Sequence, residues 1–71
     1  MEKRELKTPD EILQAALARE EEARDFYADM ATHCRVGFVK ELLERLKDEE
    51  TKHVRMIQDM ITKLNLGREI V

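Results

Sequence analysis

One cysteine, Cys34, one proline, Pro9, and two glycines, Gly37 and Gly67, are all the cross-linkers and backbone breakers in 71 residues. A single cysteine cannot close an intrachain disulfide, which excludes a small disulfide scaffold and fits a reducing, cytoplasmic setting. Tryptophan is absent, and one Tyr and two Phe are the whole aromatic content, too little for a base-stacking surface. The formal net charge of −3 comes from interspersed acids and bases, so there is no basic stripe for nucleic acid. No apolar run approaches the roughly 20 residues of a membrane span. The opening "MEKRELK" lacks the apolar core of a signal peptide. The expectation is one helical domain over residues 1–71, with no nucleic-acid or membrane partner. A domain this short and without disulfides needs a metal or a partner chain to bury enough surface.

What the chain does contain is helix-forming sequence with charged residues at 41%, alternating in sign as on solvated helix faces. "TPDE" reads as a helix start: Thr8 as N-cap, Pro9 in the first turn and Glu11 completing a capping box. The predicted first helix covers about 9–32. "THCRVG" interrupts the pattern, and a second helix follows over about 37–65, with Gly67 as its stop. The first seven residues and the tail "REIV" are expected to fray or dock loosely. A connection this short folds two helices back as an antiparallel hairpin. The fold class is therefore all-α. A lone hairpin leaves apolar stripe uncovered, so pairing into a four-helix bundle is expected, as a homodimer or a ring of dimers.

Three polar residues fall on the apolar faces. At about 100° per residue, Leu13, Ala16, Ala23, Tyr27 and Ala31 lie within roughly 60° of Glu20, which sits mid-stripe. On the second helix Val39, Leu43, Leu46, Val54 and Ile57 cluster within about 40° of Glu50, and His53 lies about 60° to one side. With Arg35 as the middle of the turn, Glu20 precedes it by 15 residues and Glu50 follows it by 15. Both then stand about 22 Å from the turn and level with each other. A carboxylate on a buried face has to be neutralised, paired or bound to metal. One way is a salt bridge to Arg24 or Lys47 at the stripe edges. The other is a metal site. A two-fold dimer would gather four carboxylates and two imidazoles, with charge to balance two divalent ions. Oxygen and imidazole donors suit iron or manganese, and zinc or copper would also bind.

The stretches "AALAREEEARDFYADMA" and "LLERLKDEETKHVRMIQDMI" resemble one helical hairpin of a rubrerythrin-type ferritin-like protein. Glu20 followed by Tyr27, and Glu50 with His53 as Glu-x-x-His, match that family's pattern over about residues 11–64. The resemblance implies a di-iron centre, a Glu from each of two helices and Glu-x-x-His from the other two. It assigns Glu50 as a bridging ligand, Glu20 and His53 as terminal ligands, and Tyr27 as a neighbour that bonds a ligand or lines the oxidant pocket. Manganese or zinc would be substitutes for iron. The implied activity is oxidation of Fe(II) by O₂ or H₂O₂. Having one hairpin where rubrerythrins have two, the chain is more similar to encapsulated ferritins, which build the site across subunits inside encapsulin shells. The tail "NLGREIV" is shorter than their extra helix and targeting peptide, and Arg19 stands where an acid would gather iron. Rubrerythrin peroxidases draw electrons from a Cys-x-x-Cys module; with Cys34 alone, an external reductant would be required.

The competing expectation is a hairpin that dimerises or docks on a partner without metal. His33 reads as a surface residue, Cys34 as a small apolar one, and Met30, Met56 and Met60 as core filler or interface. The clusters "REEEARD" and "KDEETK" read as solvated faces with i, i+4 pairs.

Overall fold

The computed structural model describes residues 8–70, with side chains described as far as Gly67. Two helices make up the chain: α1, Pro9–His33, and α2, Gly37–Ile70. They pack side by side with opposite directions, the all-α hairpin that the short connection predicts. α1 begins with the expected reciprocal cap. The Glu11 N–H donates to Thr8 Oγ1 and the Thr8 N–H to Glu11 Oε1, each at 3.1 Å. Two of the first-turn donors that a helix leaves unpaired are thereby satisfied. α1 ends where Cys34 takes an extended conformation, its N–H donating to the Ala31 carbonyl at 3.3 Å. Residues 34–36 form the turn, and the Val36 carbonyl accepts from the N–H groups of Val39 and Lys40 to start α2. Arg35 is the middle of that turn.

The expected stop at Gly67 is not there. α2 runs through it to Ile70, and Gly67 does not adopt a positive φ. A helix-interior glycine costs only about 1 kcal/mol against alanine. No proline follows, and the next residues, Arg and Glu, favour helix, so nothing enforces the left-handed cap. The tail expected to be loose is thus helical through Ile70. The expected fraying of residues 1–7 falls outside the described residues, as does Val71.

Packing is confined to a narrow seam. The hairpin is 12 Å along its thinnest direction, the thickness of one layer of helices. Among the described residues only Ala31 and Val54 are buried hydrophobics, each 5% exposed. Met30, Met56 and Met60, expected as core filler or interface, are all open to solvent in the single chain. So are Ile12, Phe26, Phe38 and Leu42. By helical rotation these residues lie to the same side of the two helices as Glu20 and His53. The hairpin therefore has one face of exposed apolar side chains.

Candidate metal centre

Glu20 is on the fourth turn of α1 and Glu50 on the fourth turn of α2, equidistant from Arg35. The antiparallel fold brings them together across the seam, and the i, i+3 step of the helix adds His53 beside Glu50. The Nδ1 of His53 lies 3.2 Å from Glu50 Oε1 and 3.3 Å from Glu20 Oε1. One ligand atom from each of the three residues falls in a group no more than 4.8 Å across. Among the described residues, no other three His, Cys, Asp or Glu side chains meet in this way. Glu50 is the most enclosed, with 19% of its side chain exposed, against 32% for Glu20 and 48% for His53. The trio sits where the seam opens onto the apolar face.

The cations expected to neutralise these glutamates are engaged elsewhere. Arg24 Nε bonds Asp25 at 3.1 Å, and Lys47 Nζ lies 3.7 Å from Asp48. Their near neighbours capture them because a sequence-adjacent carboxylate is already within reach, while Glu20 and Glu50 lie across the helix surface. The same local preference gives the Glu49–Lys52 pair at 3.6 Å. The ion pairs of the two charge clusters thus join near neighbours instead of the i, i+4 partners expected.

The three groups act on one another through hydrogen bonds. The hydrogen bond between the glutamates pulls Glu20 below the ordinary carboxylate value and pushes Glu50 above it, with desolvation also raising Glu50. His53 is held above its ordinary value, first by its bond to Glu50 and then by its bond to Glu20. A proton in such a position is what a metal ion displaces. The donors fit an ion: atoms bound at 2.0–2.2 Å to one centre stand about 3–4 Å apart, so small side-chain adjustments suffice. Two carboxylates and an imidazole suit iron, manganese or zinc.

Tyr27 is on the same helix two turns from Glu20, half-buried, with its ring edge-on to Phe26 at 5.5 Å. Among the described residues its hydroxyl makes no hydrogen bond to the trio. Near the turn, the exposed His33 ring bonds the Asp29 carbonyl at 2.9 Å, and Cys34 Sγ donates to the Val36 carbonyl at 3.6 Å. Both side chains are used in local bonds, and the His33 ring is exposed at the helix end, as expected.

No helix among the described residues is long and apolar enough to cross a membrane. No curated protein and no solved structure matches the chain significantly. The family model for rubrerythrin matches residues 11–71, a span that takes in the whole trio and almost all of both helices. This hairpin with its carboxylate–histidine cluster belongs to the rubrerythrin family.

Proposed function

We propose that the chain binds iron at a dinuclear centre shared by two hairpins and that this centre oxidises Fe(II) with O₂ or H₂O₂. The observation that carries the reading is the convergence of Glu20, Glu50 and His53 within 4.8 Å at the edge of an uncovered face. One hairpin holds two carboxylates and one imidazole, half of the ligand set of a ferritin-like two-metal bundle. Bound iron would supply the redox couple. Glu50, the most enclosed carboxylate, would hold the iron together with Glu20 and His53. Tyr27 lies on the same stripe and would limit water and shape access for the oxidant. A short two-helix chain whose centre is completed by a second subunit is also the plan of the encapsulated ferritins, and residence in an encapsulin compartment is an extension of this proposal.

An anaerobic Fe(II) titration followed by oxygen tests it. Saturation near one iron per chain and an oxo-bridged ferric absorption band are expected. A folded, metal-free sample that takes up no iron specifically would rule the reading out, and iron accumulating far beyond one per chain would redirect it toward storage.

A second reading has its own observation. His53 already lies within 3.3 Å of both glutamates, so a protonated ring satisfies them as an internal ion pair. On that reading the hairpin is structural, and Glu20→Leu with Glu50→Leu would leave stability unchanged or raise it.

A further inference from the structure

The ring of His53 has two nitrogens, and the carboxylates engage only one of them. Nδ1 lies 3.2 Å from Glu50 Oε1 and 3.3 Å from Glu20 Oε1. An ionised carboxylate only accepts hydrogen bonds, so the proton of a neutral ring belongs on Nδ1 and the free lone pair on Nε2. We propose that Nε2 of His53 and the thioethers of Met56 and Met60 bind a soft monovalent cation of the Cu(I) and Ag(I) class. This site goes beyond the proposed iron reading and does not depend on it.

Three observations carry it. The first is spacing. His53, Met56 and Met60 stand at i, i+3 and i+7 on α2. Successive members are neighbours on the helix surface, about 5–6 Å apart at Cβ, and all three fall within about 60° around the axis. Met30, the remaining methionine among the described residues, is on α1 near the turn and outside this row. The second is access. Met56 is 65% exposed, Met60 49% and the His53 side chain 48%. Methionine has three rotatable bonds, so both sulfurs are free to swing toward one ion. The third is the way the ring is held. A metal-ligating histidine characteristically donates its other N–H to a carboxylate, which fixes the tautomer and raises the basicity of the ligating nitrogen. Glu20 and Glu50 do this for Nε2.

Donor chemistry sets the class of ion. Thioethers select Cu(I) and its like, whereas carboxylate oxygens hold harder ions. Glu49, one turn before His53 on the same flank, is already paired with Lys52 at 3.6 Å. At the other end of the row, Met60 borders an apolar groove that it shares with Ile12, Leu13 and Leu64. α2 thus offers a hard donor inward, at Glu50, and soft donors outward, with His53 at the junction.

The test is titration of the full chain at pH 8 with Ag(I), a redox-inert member of the class. A Cys34→Ser background removes the thiol as a rival ligand. NMR spectra should show the His53 Nε2 signal and the methyl groups of Met56 and Met60 moving together on binding, with Met30 unmoved. Met56→Leu/Met60→Leu, which conserves side-chain volume, should leave the helical circular dichroism intact. The same variant should lower Ag(I) affinity at least about ten-fold, since loss of a mere supporting partner of a ligand already costs that much. Unchanged affinity in the variant would overturn the proposal. So would a response at Nδ1 in place of Nε2, which would put the ion among the glutamates.

Discussion

The seam and the open face are built from the same two helices and behave as opposites. In the seam Ala31 and Val54 are 5% exposed, and their small size is what lets the helices approach. On the face Phe38 is 79% exposed and Met56 65% exposed, and nothing among the described residues covers them. The site lies at the boundary, with Glu50 more enclosed than His53. The comparison separates two jobs. A tight, minimal seam sets the level of Glu20 against Glu50, while the larger apolar area faces outward and is free to respond to what binds there.

The contrast is broken most strongly at the boundary. Glu50→Ala should lower metal affinity by roughly 100-fold or more, since losing a supporting partner of a ligand already costs 10–100-fold. Calorimetric titration with Mn(II) checks this, with circular dichroism expected to show the helices intact. The next largest effect is in the seam. Ala31→Leu overpacks the closest approach and should cost about 1–3 kcal/mol in thermal unfolding. The same measurement on Phe38→Ser should stay within about 0.5 kcal/mol in the monomer, because that ring makes no seam contact. If the two substitutions cost alike, the seam does not hold the hairpin together.

Smaller effects sharpen the picture at the helix ends. Thr8→Ala removes the Oγ1 acceptor of the capping box and should cost about 1 kcal/mol, read as a lower melting temperature. Gly67→Ala should stabilise by up to about 1 kcal/mol, since the position is helical and an added Cβ meets nothing within 4 Å. A loss on that substitution would mean the backbone at residue 67 is not helical in solution.

The smallest expected effect is on pH dependence without metal. His53 has a raised value in the fold, so its stabilising share is complete below the ordinary value of 6.5 and is lost as pH rises through the raised one. The lowered value of Glu20 stabilises above 4.5 and is lost as pH falls through it; the raised value of Glu50 works the other way. The glutamates therefore oppose each other, and the dependence near neutrality is that of His53. Melting of the metal-free protein should fall slightly as pH rises above 6.5, and the slope should vanish in His53→Gln. Metal affinity should run in the opposite direction, rising with pH as protons leave the site.

Much of this arrangement was legible from spacing. Thr8, Pro9 and Glu11 announce the start of α1 by local chemistry, and the equal distance of Glu20 and Glu50 from Arg35 needs only the helical rise. The stop at Gly67 was misread because a glycine cap is a preference of about 1 kcal/mol, which the residues after it can outweigh. Arg24 and Lys47 sit at the right stripe edges to reach the glutamates. Which carboxylate captures a long flexible cation depends on side-chain geometry, and Asp25 and Asp48 are simply nearer. The role of Tyr27 was not settled by periodicity either, since the same stripe position serves a core ring and a ligand neighbour equally.

α2 is nine residues longer than α1, so about 14 Å of it extends past the start of its neighbour among the described residues. That difference in length becomes a difference in time. Amides of α2 flanked by α1 should exchange with solvent deuterium only when the hairpin opens as a unit. Those beyond about residue 61 should exchange as a single helix frays, which is far faster. The molecule thus carries a clock along one helix, slow at the glutamates and quick at Gly67.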